Sequence, residues 1–132
     1  MPGEPRGKGR PRFSRDGHPY TDNETRAYEH KIAAYYRKAY GGARAADTAF
    51  VTVDVIAYLP IPKRVTKAQL VGMVTKTILP SRKPDVDNVL KVVLDALNGI
   101  AYKDDSRVHR ASCVKYYSAE PRLEIVIGEV GG

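Results

Sequence analysis

The run from Phe50 to Leu59 constrains this chain more than any other feature. Val51, Val53, Val55, Ala57 and Leu59 alternate with Thr52, Asp54, Ile56 and Tyr58, the period-two pattern of a strand with one face in a core. Pro60 and Pro62 stop it, because proline cannot donate to a strand ladder. Such a strand needs partners beside it and a cover on its apolar face. Alternating runs around Val108–Tyr117 and Arg122–Glu129 supply partners, with Leu123, Ile125 and Ile127 on one face and Glu120-Pro121 as the turn between them. Two amphipathic segments supply the cover. Thr21 to about Tyr40 carries Tyr28, Ile32, Tyr35, Tyr36 and Ala39 at helical spacing, with Thr21 and Glu24 as a capping box and Gly41-Gly42 as the stop. Val86 to Leu97 places Val86, Val89, Leu90, Val93 and Leu97 on one face and ends at Asn98-Gly99. A short helix is expected over 66–73 and a connecting stretch over 74–84. This order predicts one α+β domain over residues 1–132, with two main helices on a small, largely antiparallel or mixed sheet.

Composition narrows the function classes. The sequence has no uninterrupted apolar stretch of the roughly 18–20 residues a membrane span requires, and its start, Met-Pro-Gly-Glu-Pro-Arg, lacks the apolar core of a signal peptide. The single cysteine, Cys113, excludes an internal disulfide framework and a cysteine-rich zinc site. Falling in a predicted strand, it reads as a small apolar side chain. His18, His30 and His109 are scattered without metal-ligand spacing. The expectation is a cytoplasmic, nucleoid-associated protein with no membrane partner. With 22 Lys+Arg against 15 Asp+Glu, the net charge of +7 points to a polyanion. Within residues 1–15, Arg6, Lys8, Arg10, Arg12 and Arg15 stand against Glu4 alone. Residues 1–20 therefore read as a Pro/Gly-rich basic arm, either ordering on phosphate or fraying into solvent.

One segment reverses the balance. Five of the nine aspartates, Asp85, Asp87, Asp95, Asp104 and Asp105, lie between 85 and 105, with only Lys91 and Lys103 against them. Asp at a helix N-cap or first turn stabilises any helix, by about 0.5–2 kcal/mol, so Asp85-Val86-Asp87 has an ordinary structural explanation. Lys91, four residues after Asp87, has one too, as an ion pair of a few tenths of a kcal/mol. The other explanation is chemical. Carboxylates brought together form a hard-oxygen site for Mg²⁺ or Mn²⁺, completed by phosphate oxygens, and a nearby ammonium stabilises charge developing on a phosphodiester.

Lys-Pro-Asp-x-Asp-Asn-x-x-Lys over 83–91, followed by Asp104-Asp105, is more specific than its parts. With the opening Pro-Gly-Glu-Pro-Arg-Gly-Lys-Gly-Arg-Pro-Arg, it resembles the RusA family of Holliday-junction resolvases over most of the chain. The resemblance implies an α+β homodimer that cuts branched DNA, four-way junctions, with Mg²⁺. Carried over by position, Asp85, Asp87 and Asp105 bind metal and act in catalysis with Lys91. Arg82 and Lys83 precede the motif where the family contacts DNA, and Lys8, Arg10 and Arg12 extend that basic surface. Family members generally carry a short apolar strand before the Pro-Gly-Glu-Pro segment, where this sequence begins at Met1-Pro2.

Two other readings compete. A non-catalytic DNA- or RNA-binding module would account for the basic charge and tyrosines, and leaves the aspartates unexplained. An aspartate-nucleophile phosphotransferase also uses Asp-x-Asp, but wants it directly after a buried strand, and Ser81-Arg82-Lys83-Pro84 is a poor strand end.

Overall fold

The computed structural model describes residues 1–9 and 12–130. Arg10, expected to contact DNA, therefore lies outside the described residues. The elements in chain order are β1 (Arg12–Phe13), β2 (Pro19–Tyr20), α1 (Asn23–Tyr40), β3 (Phe50–Pro60), α2 (Lys67–Val74), α3 (Val86–Leu97), a single 3-10 turn (Asp105–Arg107), β4 (Val108–Ser118) and β5 (Arg122–Val130). The fold is α+β. Among the described residues no helix is long and apolar enough to cross a membrane.

β3 is the centre of a three-stranded sheet, with β4 parallel on one side and β5 antiparallel on the other. Val55 lies opposite Cys113 on β4 and Ile125 on β5. The sheet is therefore mixed, and Glu120-Pro121 does not make a hairpin turn between paired strands. The reason lies in the order of elements: α3 carries the chain back along the sheet, so β4 returns parallel to β3. Ser118 then pairs with Pro60, and Arg122 with Tyr58. Residues 119–121 step across the end of β3, a width of about 10 Å at normal strand spacing. That step is possible because Pro60 and Pro62 end β3 there.

Val51, Val53, Val55, Ala57 and Leu59 are all at most 1% exposed. All but Leu59 cluster with Val89, Val92, Val93, Ala96 and Leu97 of α3 and Tyr28 and Ile32 of α1. The buried seam of α3 is rotated from the expected one, since Val86 is exposed while Val92 and Ala96 are buried. α1 begins one residue later than the Thr21 capping box predicted. Asp22 is the N-cap, accepting from the Thr25 N–H at 2.7 Å, and Gly41 closes the helix at φ 64°. Tyr116 and Tyr117 of β4 are both half-buried.

The N-terminal segment is not frayed. The Met1 amino group donates to the Leu123 carbonyl at 2.6 Å, and the Leu123 N–H donates back at 2.9 Å, extending the β5 edge. Pro5 is buried, and the Lys8 N–H donates to the Asn88 carbonyl at 2.9 Å. β1 and β2 then form a small antiparallel hairpin.

Candidate active site

Four described positions could cap a helix or turn with an Asp or Thr side chain, and three do. Asp22 caps α1; Thr66 accepts from the Gln69 N–H at 3.1 Å in a full capping box; Asp104 accepts from the Ser106 N–H at 3.1 Å. Asp85 is the exception. It is the N-cap residue of α3, with the extended backbone of a cap (φ −75°, ψ 152°), yet its side chain makes no capping hydrogen bond. Capping, open to this aspartate on sequence grounds, therefore does not account for it, and attraction to the helix dipole is the only structural role left.

Asp87 follows in the first turn of the same helix and Lys91 one turn later. All three side chains are exposed. Among the described residues, no ion pair within 4.0 Å and no side-chain hydrogen bond engages Asp85, Asp87 or Lys91. The Asp87–Lys91 pair that helical spacing offers is not made. Two carboxylates and an ammonium thus stand together on the opening turns of α3 with no internal use.

Asp105 is placed differently. Tyr102 is fully buried, and its hydroxyl donates to the Leu94 carbonyl at 2.8 Å and lies 3.4 Å from the Asp105 Oδ1. This anchor holds Asp105 at the level of Leu94, about 10 Å along the axis from Asp87. Asp105 is itself exposed, but the loss of some water around its carboxyl, reinforced by the nearby Asp95 and Asp104 carboxylates, pushes it above its ordinary value. Asp104 moves the other way, held down by its bonds from Ser106.

The Mg²⁺ that the resemblance implies can be tested against these donors. Asp85 and Asp87 offer hard carboxylate oxygens with no competing partner among the described residues, and Mg²⁺ commonly takes one or two carboxylates and completes its shell with phosphate and water. That chemistry fits. A set of three does not form, for among the described residues no three His, Cys, Asp or Glu side chains stand close enough to hold one ion. The structure thus keeps Asp85 and Asp87 on one turn and Asp105 apart from them.

The basic residues divide similarly. Arg82 is exposed, 3.8 Å from Glu4 and 3.3 Å from the Pro60 carbonyl. Lys83 lines an open groove with Arg6, Gly7, Lys8, Pro84, Asp85 and Asn88. Arg12 is exposed on β1. Lys8, read as a phosphate contact, is turned inward: its ammonium lies 3.1 Å from Asp95 and 3.4 Å from Glu29. Burial works against that charge, but the Asp95 hydrogen bond and the two carboxylates outweigh it and raise its pKa. Sequence reasoning gave no role to Glu29, Asp95, Asn88 or Tyr102. The available signal was Gly7 and Gly9 flanking Lys8, a pattern of close backbone approach rather than of a free arm.

A family model described as "Endodeoxyribonuclease RusA" matches residues 2–128. A Bacillus subtilis (strain 168) protein, "Uncharacterized protein YqaN", is 40% identical over 136 aligned positions, covering 97% of this chain and 92% of the relative.

Proposed function

Because this chain belongs to the RusA endodeoxyribonuclease family, we propose that it is a Mg²⁺-dependent nuclease that resolves four-way DNA junctions by paired symmetric nicks. The observation that carries this reading is Asp85, which occupies a cap position without capping and lies on the same opening turns as Asp87 and Lys91, neither of which makes an ion pair among the described residues. Mg²⁺, or Mn²⁺ in its place, would be held by Asp85 and Asp87 and would polarise the scissile phosphate. Lys91 offsets the negative charge that builds on that phosphate in the transition state. Arg82, Lys83, Arg12 and Arg10 grip the DNA backbone, which gives affinity without direct sequence information and makes binding weaken with salt. Asp105 joins Asp85 and Asp87 only through a rearrangement of the turn that Tyr102 now anchors.

A four-way junction has approximate two-fold symmetry, which a C₂ dimer matches with one site per strand. Leu70, Val71, Val74 and Leu79, on and just after α2, are all more than 40% exposed. Exposed apolar groups gathered this way mark an association surface, and we assign them to the homodimer.

The test is a synthetic four-way junction beside a matched linear duplex, each with Mg²⁺ or with EDTA. Paired symmetric cuts in the junction alone, and only with Mg²⁺, are expected. Junction binding without cutting under all metal conditions would replace this reading with the non-catalytic module.

A further inference from the structure

The segment Gly7-Lys8-Gly9 is a clasp. The Lys8 ammonium reaches between Glu29 of α1 and Asp95 of α3, at 3.4 and 3.1 Å, and its side chain is only 16% exposed. Its backbone N–H donates to Asn88, one residue past Asp87. The glycines let the backbone lie flush. A Cβ at Gly7 would stand 2.9 Å from the Asn88 Cβ and 3.2 Å from the Pro84 Cβ. One at Gly9 would collide with Asp22 and sit 2.8 Å from the Thr25 Oγ1, which accepts the Gly9 N–H at 3.1 Å. Three residues thus bind the first turn of α1, the first turn of α3 and the ion cluster between the two helices.

We propose that Lys8 is a positioning residue for the nuclease site, an inference that rests on the reading above. It acts through α3: with its ammonium between Asp95 of α3 and Glu29 of α1 and its N–H on Asn88, Lys8 ties α3, whose opening turns carry Asp85, Asp87 and Lys91, to α1. It does not touch phosphate. Losing one member of a half-buried ion cluster leaves the remaining carboxylates uncompensated, and a displacement of about 1 Å at a reacting centre can cost roughly 10²-fold in rate.

Three variants test this: Lys8→Met, Lys8→Arg and Asp95→Asn. Lys8→Met is expected to lower kcat about 10- to 100-fold on the four-way junction, with KM and the salt dependence of binding unchanged. Lys8→Arg restores most of kcat. Asp95→Asn, which removes a negative charge and so cannot weaken a phosphate contact, produces the same kcat loss, and the double variant is no worse than either single one. A phosphate-contacting Lys8 would instead show a salt slope shallower by about 0.9, normal kcat, and an Asp95→Asn variant as active as the parent; that pattern overturns the proposal. Amide hydrogen exchange gives a readout independent of activity. Exchange at Val89 and Leu90 should accelerate in Lys8→Met while β3 amides keep their rates, and unchanged exchange at both helix positions refutes the clasp. If the parent protein cuts no junction, the nuclease reading fails, and the exchange result still decides whether the clasp holds α3.

Discussion

Asp85 and Thr66 occupy the same position on two helices, one without a capping bond and one with two. Replacing each by alanine separates a functional carboxylate from a structural one. Thr66→Ala removes the bond from the Gln69 N–H and strands the reciprocal Gln69 contact to the Thr66 N–H, a loss of about 1 kcal/mol for a capping side chain. For 132 residues, the usual unfolding entropy converts 1 kcal/mol into about 3–4 °C of melting temperature. Asp85→Ala breaks no such bond. It forfeits only the attraction between an exposed carboxylate and the helix dipole, about 0.3–1 kcal/mol at low salt and less at physiological ionic strength. The expected result is a melting temperature within about 2 °C of the parent for Asp85→Ala, with junction cleavage abolished. Thr66→Ala should melt about 3–4 °C lower and cut normally, since α2 carries none of the proposed site. Thermal unfolding by circular dichroism and a single-turnover cleavage assay on the same preparations measure both. An Asp85→Ala variant that melts as low as Thr66→Ala, or that cuts at the parental rate, refutes the reasoning, because the carboxylate would then be a cap after all or have no part in the chemistry.

The other expectations concern neighbouring residues. Asp87→Asn abolishes cleavage while leaving junction binding equal or tighter, since a negative charge is removed near the phosphate; gel-shift titration in EDTA reads the binding. Lys91→Ala changes stability by no more than about 0.5 kcal/mol, there being no ion pair to lose, and lowers turnover more than affinity; steady-state kinetics separates the two. Asp105→Asn raises the melting temperature at neutral pH. The folded protein raises this carboxyl above 3.8, so the ionised form is disfavoured by folding. That penalty is complete above the raised value and relieved as pH falls toward 3.8, so the variant's advantage should vanish in melts at lower pH. Val71→Glu with Val74→Glu, both at exposed positions, yields monomers in sedimentation analysis with an intact far-ultraviolet spectrum.

The parts of the fold that could be read from sequence are those decided within one element. Alternation along Phe50–Pro60 and the apolar stripe of Val86–Leu97 are local properties, and both elements appear where the pattern put them. The sheet order is a matter between elements. Nothing in Arg122–Val130 tells it to lie against β3 instead of against β4, which precedes it by three residues; α3 decides that by delivering β4 parallel. Capping falls between these cases. Thr21 and Asp22 are both competent caps, and the winner is set by which oxygen meets the Thr25 N–H. Asp85 has the right residue type and backbone for a cap and still does not act as one. Residue type there could not distinguish a capping carboxylate from one left uncommitted; only the bonding of the side chain does.

The basic arm shows the same ambiguity in charge. Proline and glycine among cations look, in composition, like a chain kept loose for a polyanion. In the structure these residues allow tight packing: Gly7 and Gly9 remove the side chains that would hold the backbone off α3 and α1. Lys8 then meets Glu29 and Asp95 instead of solvent. Its charge therefore contributes to the +7 of the chain without adding to the surface available to DNA. The cations left outward beside the carboxylates of α3 are Arg82, Lys83 and Lys91, each exposed. Net charge can identify a polyanion as the partner, but the local pairing of each cation determines where that partner lies. Among the described residues, the carboxylates without ion-pair partners and the outward cations coincide at one helix end, which is where the proposed reading puts the scissile phosphate.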